Sequence, residues 1–239
     1  MSIMEKKTKE NPHKGHRERV KTRYLTQGLD NFADYEALEL LLFYAFPYID
    51  TKQKAKELLK EFGSIHNLFD SDIYLLKERG NLKDHAAILL NLIPALARRY
   101  AISKWEKNIK LDSVKRAYVY VKDLFTCLAI EHFYLICLNG DFMHLNTVKI
   151  SEGTVDETAV YKRAITTEAV KSNAVHVILA HNHPSGVIKP SNHDFTVTLE
   201  VKTALQSLDI MVLDHIIIAG EKYYSFNSHG YKDLSMYPL

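Results

Sequence analysis

The sequence predicts an α+β protein, with an N-terminal all-α domain followed by an α/β domain built on a mixed sheet. Two patterns indicate this fold class. Between residues 34 and 105, apolar residues recur at the spacing of amphipathic helices. From residue 113 onward, helical segments alternate with short β-branched runs, an order typical of helices packed on a sheet. The charged residues 103–113 interrupt the apolar period and form the predicted linker.

The first segment, residues 1–24, is predicted to be a basic N-terminal arm. It carries eight basic and three acidic residues, a net charge of +5 in a chain whose total is +2. Such an arm could contact the phosphates of DNA. It could equally be a solubilising, partly disordered tail, because no aromatic residues are interleaved with its charges.

The second segment, residues 25–105, is the predicted helical domain. Its predicted helices are, in order, residues 35–45, a helix that Asp50 or Thr51 caps and Gly63 ends, and residues 86–100. A glycine is expected at such a helix end because it adopts the left-handed conformation without steric cost. Short turns at residues 70–72 and 80–81 connect the later helices.

The third segment, residues 110–239, is the predicted mixed-sheet domain. Its predicted helices are residues 113–124, 166–172 and 194–208, and its predicted strands are residues 132–138, 143–150, 175–180, 210–213, 216–219 and 223–226. The first two strands are joined by the turn residues Asn139, Gly140 and Asp141, which favour a hairpin.

Composition and targeting signals predict a cytoplasmic protein with no membrane partner. The apolar stretches of the 239-residue chain are too short to span a bilayer, and its first residues are polar and charged, unlike a signal peptide. Cys127 and Cys137 lie in or beside apolar segments without a CxxC pair, as expected of reduced, buried thiols.

Candidate metal ligands follow the apolar residues 175–180. His181 and His183 stand at the end of this predicted strand, and their alternation puts both imidazoles on one face. Asp194 opens the predicted helix that follows an intervening turn. Two nitrogens and one oxygen leave a fourth tetrahedral position for water, the arrangement of hydrolytic zinc sites. One zinc ion is therefore predicted, with iron or manganese as alternatives that such ligands also suit.

Three further polar residues are candidates for supporting roles. Ser191 precedes Asp194 by three residues, so its hydroxyl could stabilise an oxyanion beside the metal or simply cap the helix. Asp214 and His215 precede the apolar residues 216–219. They could hydrogen-bond to a ligand histidine and fix its orientation, or they could form and cap a turn.

The sequence resembles a known family at this motif. His-x-His, seven residues and Ser-x-x-Asp form the signature of the JAMM (MPN-type) metalloproteases, and the wording HNHPSG resembles the bacterial RadC-like branch, UPF0758. The resemblance covers roughly residues 110–230. It implies that His181, His183 and Asp194 bind the metal, that Ser191 steadies the oxyanion, and that the substrate is a peptide or protein.

The resemblance also implies a catalytic glutamate far upstream of the metal ligands. Glu131 is the best candidate, because it heads the apolar residues 133–138 as the family's glutamate heads its own strand. The alternative is a solvated residue at a strand entrance. The chain departs from the family pattern at Ala164, which follows Arg163 where RadC-like chains usually carry glutamate, so this member could be impaired.

The N-terminal domain of RadC-like proteins, a module that is similar to a helix-hairpin-helix, resembles two segments of this chain, LDNFADYEALELLLFYA and AKELLKEFGSIHNLF. Such a module binds nucleic-acid backbone through amides exposed at a turn with two glycines. Here the turn reads Gly80-Asn81-Leu82, with leucine in place of the second glycine. Three functions follow as hypotheses: a zinc-dependent hydrolase, a DNA-associated protein of repair or recombination, and an inactive partner-binding scaffold.

Overall fold

The computed structural model describes residues 15–47, 49–105, 109–153 and 158–229, without the side chains of residues 158–160. Internal contacts divide the chain into two units, Met1–Ile93 and Pro94–Leu239. The division falls inside one helix, and the predicted domain limits at residues 24, 105 and 110 stay predictions. Residues 1–14 of the predicted arm and 106–108 of the predicted linker lie outside the described residues.

Helices build the first unit around one apolar core. Their bounds are α1 His16–Gln27, α2 Asp34–Leu42, α3 Thr51–Phe62, α4 Ile65–Asp70, α5 Ile73–Glu78 and α6 Asp84–Ser103, the last continuing into the second unit. Asp50 caps α3 and Gly63 ends it with φ 82°, as predicted. The predicted turns at residues 70–72 and 80–81 follow two short helices, α4 and α5, which the sequence did not predict. At six residues each they are too short to show a period, and Ser64 and Asp72 cap them.

Two features of this unit bear on the predicted DNA contacts. Arg17 donates to the carbonyl oxygen of Ile49 at 2.7 Å, and Arg23 forms a two-pronged ion pair with Glu36, so both guanidinium groups have partners within the unit. At the predicted hairpin turn, Leu82 is buried in the helical core. Leucine therefore has a packing role at that position, and DNA binding stays a prediction.

The second unit is a five-stranded mixed sheet with helices on both faces, which confirms the α+β prediction. Its strands are β1 His132–Leu138, β2 His144–Glu152, β3 His176–Asn182, β4 Met211–Ala219 and β5 Lys222–Ser225, and its further helices are α7 Val114–Leu124, α8 Thr158–Lys171 and α9 Asn192–Gln206. The strand order is β2-β1-β3-β4-β5. Only β3 and β4 run parallel among these neighbours; the other pairs are antiparallel.

Two apolar clusters cover the two faces of the sheet. On one face Leu135 of β1 belongs to a cluster with Ile165 of α8 and Val201 of α9. On the other face Ile136 packs in a cluster with Val121 of α7. Because both faces are covered, every residue of β1 is buried, which explains the apolar composition of residues 133–138.

The structure corrects three expectations about this unit. Asp214 and His215 do not separate two strands; both are fully buried inside the single strand β4. The helix predicted at residues 166–172 begins at Thr158. Cys137 is buried as predicted, whereas Cys127 is exposed. Among the described residues, no helix has the length and apolar character needed to cross a membrane.

Candidate metal centre

Two elements of the second unit bring the predicted metal ligands together. His181 lies near the end of β3 and is fully buried, and His183 follows directly after the strand. The backbone stays extended there, because the His183 amide still bonds to the Ile218 carbonyl of β4 at 2.7 Å. Asp194 lies in the first turn of α9 and is only 7% exposed.

The donor atoms of these three side chains fit the size of a metal ion. Nε2 of His181 is 2.9 Å from Nε2 of His183 and 3.2 Å from Oδ1 of Asp194. The Nε2 of His183 is 3.7 Å from Oδ2 of Asp194. A tetrahedral zinc with bonds of about 2.0–2.1 Å needs donor atoms about 3.3 Å apart. The three residues could therefore hold such an ion, consistent with ligand atoms that all lie within 4.8 Å of one another.

The loop after β3 fixes which nitrogen His183 offers. Its Nδ1 is 2.6 Å from the carbonyl oxygen of Val187. A carbonyl oxygen only accepts, so Nδ1 carries the proton and donates it to Val187. In the neutral ring the lone pair is then on Nε2, the atom that faces His181.

A chain of three hydrogen bonds fixes His181 in the same way. Nδ1 of His181 is 2.8 Å from Nε2 of His215, and Nδ1 of His215 is 2.6 Å from Oγ1 of Thr198. The Thr198 hydroxyl donates to the backbone carbonyl oxygen of Asp194 at 2.6 Å. Because that proton is committed, Thr198 accepts from Nδ1 of His215, whose Nε2 then accepts from Nδ1 of His181. The lone pair of His181 is left on Nε2, toward the other two ligands.

This hydrogen-bonded chain requires a neutral His215, and its surroundings favour that state. His215 is fully buried, and burial lowers the pKa of the imidazole well below its usual value. The aromatic ring of Phe226 stacks on it at 4.9 Å, while Phe133 stacks on His181 at 5.8 Å. Both imidazoles are thereby held in place by apolar neighbours as well as by hydrogen bonds.

Ser191 and Asp194 form a capping box at the start of α9. The Asp194 carboxylate accepts from the Ser191 amide at 2.6 Å and from its hydroxyl at 2.7 Å, both on Oδ2. Oδ1 is left toward His181. Burial opposes ionisation of Asp194, but the two hydrogen bonds from Ser191 favour the carboxylate, and the pKa of the carboxyl is lowered from its usual value. Asp194 is therefore a carboxylate at neutral pH, the form that binds a metal.

The remaining predicted residues lie in different places around this centre. Asp214 does not bond to a ligand histidine in the described contacts. Its carboxylate accepts from Ser225 at 2.6 Å and from the Asn227 amide at 3.0 Å, and it anchors the segment after β5. Burial raises its pKa to about 6 despite these bonds.

Glu131 lies half-buried immediately before β1. Ala164 lies half-buried in α8, and its effect on activity stays a prediction.

Sequence reasoning missed two groups that orient the ligands. Thr198 follows Asp194 by one helical turn, and a threonine that bonds to the carbonyl four residues before it is a recognisable helical pattern. That spacing was a usable signal. The Val187 carbonyl could not have been found, because a backbone group carries no sequence signature.

His215→Ala is expected to weaken zinc binding by about 10–100-fold, because His181 loses the acceptor that fixes its tautomer and ring orientation. Competition with a chromophoric chelator measures this affinity. His144→Ala is the matched control, since His144 is a half-buried histidine of the same unit that bonds to Thr147 instead. Equal zinc affinities in all three proteins would contradict an orienting role for His215.

Comparisons with known proteins agree with the extent of this unit. Residues 111–231 match the family described as RadC-like JAB domain. A UPF0758 protein of Fusobacterium nucleatum subsp. nucleatum is 34% identical over 230 residues, which covers 92% of this chain and 98% of that relative. The matched family segment contains all five strands and all three candidate ligands.

Proposed function

This chain belongs to the RadC-like family of JAB-domain proteins, and from that premise we propose that it is a zinc-dependent hydrolase. The bond attacked is an amide or isopeptide bond of a peptide or protein substrate. The observation that supports this proposal most strongly is the convergence of two oriented imidazoles and a buried carboxylate on one point. The cytoplasmic location predicted for the protein is part of the same proposal.

The donor set is that of a catalytic rather than a structural zinc site, because three protein ligands of N, N and O type leave one position open. His181, His183 and Asp194 would hold the ion. When bound, zinc supplies a Lewis acid and a water whose pKa is lowered to about 7. Hydrogen bonds within the chain orient the imidazoles of His181 and His183 and keep the carboxylate of Asp194 ionised. Other side chains would exchange protons with the reacting groups.

Glu131 is the proposed proton carrier. In the antiparallel pair of β1 and β3, Phe133 lies opposite His181, and neighbours across a sheet share a face. The pairing ends there, and Glu131 comes two residues before Phe133, so an extended backbone would give its side chain the face that carries both ligand histidines. A carboxylate there would accept a proton from the attacking water and deliver it to the leaving nitrogen.

Ser191 is the proposed oxyanion-stabilising residue. This role requires its hydroxyl proton to be available to the substrate. The hydroxyl has one proton, which it donates to Asp194. To stabilise a developing oxyanion, that proton must turn from the Asp194 carboxylate to the substrate oxygen. Without that turn, Ser191 acts only through the cap of α9 and the orientation of Asp194.

Removal and return of the metal test the proposal. Protein treated with a chelator and dialysed is expected to lose hydrolysis of peptide and isopeptide-linked substrates, and one equivalent of zinc is expected to restore it. The assay measures release of new amino termini by the treated, restored and untreated protein. Equal hydrolysis by the metal-free and zinc-restored protein would contradict the proposal. A protein that binds zinc and cleaves nothing would support the partner-binding scaffold instead.

A further inference from the structure

Asn182, the residue between the two ligand histidines, makes contacts that the metal centre does not need. Successive side chains of a strand point to opposite faces, so the Asn182 side chain does not share the face of His181 and His183. It is only 5% exposed. Its Oδ1 accepts from the backbone amide of His132 at 2.7 Å, and its Nδ2 donates to the carbonyl oxygen of Ile130 at 3.0 Å.

These two backbone groups flank Glu131 on either side. The regular pairing of β1 with β3 ends at Phe133 and His181, one residue before the side-chain bond to His132. The Asn182 carboxamide adds one acceptor and one donor to the backbone beyond this pair. From the other side, the Glu131 carbonyl accepts from the Gly153 amide at 2.8 Å. The backbone at Glu131 is therefore fixed toward both neighbours.

We propose that Asn182 is a positioning residue, whose carboxamide clamps the backbone on both sides of Glu131 and so holds its carboxylate beside the metal ligands. This inference rests on the proposed function. It makes the central residue of the His-x-His motif the link between the metal centre and the proton carrier. One strand end thus supplies two ligands on one face and the support of Glu131 from the other.

The chemistry of the clamp requires a side-chain amide of this length. The His132 amide needs an acceptor, and the Ile130 carbonyl, which also lies 2.9 Å from Nδ1 of His132, accepts a second hydrogen bond; a carboxamide offers an acceptor and a donor on two separate atoms. Aspartate would place a carboxylate oxygen against the Ile130 carbonyl. Alanine would leave both backbone groups without this partner, and the His132 amide is buried.

A double-mutant cycle with the Co²⁺-loaded protein tests the inference. Asn182→Ala, Glu131→Gln and the double variant are compared with the wild type by the pH profile of the Co²⁺ visible absorption, which responds to groups beside the metal. Metal content and thermal unfolding are measured on the same samples. Asn139→Ala is the matched control, because the Asn139 side chain accepts from the Asp141 and Met143 amides, each at 2.9 Å, at the opposite end of β1.

Asn182→Ala is expected to keep one equivalent of Co²⁺ and to shift the midpoint of the absorption profile in the same direction as Glu131→Gln. A shift of about one pH unit is the usual size for the displacement of a neighbouring charge. The double variant is expected to match Glu131→Gln alone, since Asn182 acts through Glu131. Asn139→Ala is expected to lower the melting temperature without moving the midpoint.

Two results would overturn the inference. An unchanged midpoint in Asn182→Ala, with a lower melting temperature like that of Asn139→Ala, would reduce Asn182 to a purely structural residue. Additive shifts in the double variant would show that Asn182 acts on the metal ligands and not through Glu131. Failure of the proposed function looks different, because the wild-type protein would then bind no Co²⁺, or would bind zinc and cleave no substrate.

Discussion

Glu131→Gln is expected to lower amide-bond hydrolysis by about 10²–10⁴-fold while the protein keeps its metal. Glutamine has nearly the same shape as glutamate but cannot accept a proton from the attacking water. The residue stands before β1 and is not one of the three ligands, so the donor atoms of His181, His183 and Asp194 are untouched. The expected pattern is therefore a loss of kcat with an unchanged zinc stoichiometry.

Steady-state kinetics and elemental analysis on the same preparation measure both quantities for Glu131→Gln. Glu152→Gln is a suitable control, because Glu152 is an exposed carboxylate at the end of the neighbouring strand β2 and bonds to Lys149. Its variant is expected to hydrolyse substrate at the wild-type rate. Wild-type turnover in Glu131→Gln would assign the proton transfer to another residue.

His181→Ala is expected to reduce bound zinc from about one equivalent to nearly none, because the site loses its most buried ligand. The substitution also leaves Nε2 of His215 without the donor it accepts from. A second variant keeps the prediction testable if His181→Ala fails to fold. His183→Ala removes a ligand that is only half-buried, and it should lose zinc with a smaller effect on stability.

The matched control for these variants is His193→Ala. His193 is adjacent to Asp194 in sequence, yet it is exposed, and the group of candidate ligands does not include it. Elemental analysis of protein purified without added metal is expected to show full zinc content in this variant. Retained zinc in both His181→Ala and His183→Ala would remove these residues as ligands.

The convergence of the ligands could be predicted because each step of it is local. The bounds of β1 agree with the predicted strand at residues 132–138, since the apolar residues 133–138 and the turn after them define it. Alternation along β3 places His181 and His183 together, and a helix start delivers Asp194. Each of these patterns lies within a short stretch of sequence.

The supporting contacts could not be predicted because their partners are distant in sequence. In the sequence, Asp214 and His215 predict a polar break between two strands. In the structure, β4 is continuous, because Ser225 and Asn227 donate hydrogen bonds to the buried Asp214 carboxylate. Asn182 bonds to backbone groups about fifty residues earlier in the chain. Buried polar residues become compatible with a strand only when tertiary partners satisfy them, and sequence periodicity contains no information on those partners.

The most direct test of the central claim is anomalous diffraction from a crystal of the protein grown with zinc, measured at the zinc absorption edge. We expect a single strong peak at about 2.0–2.2 Å from Nε2 of His181, Nε2 of His183 and a carboxylate oxygen of Asp194. A map with no peak among these atoms, or with the peak at another group of residues, would contradict the assignment of a metal-dependent hydrolase.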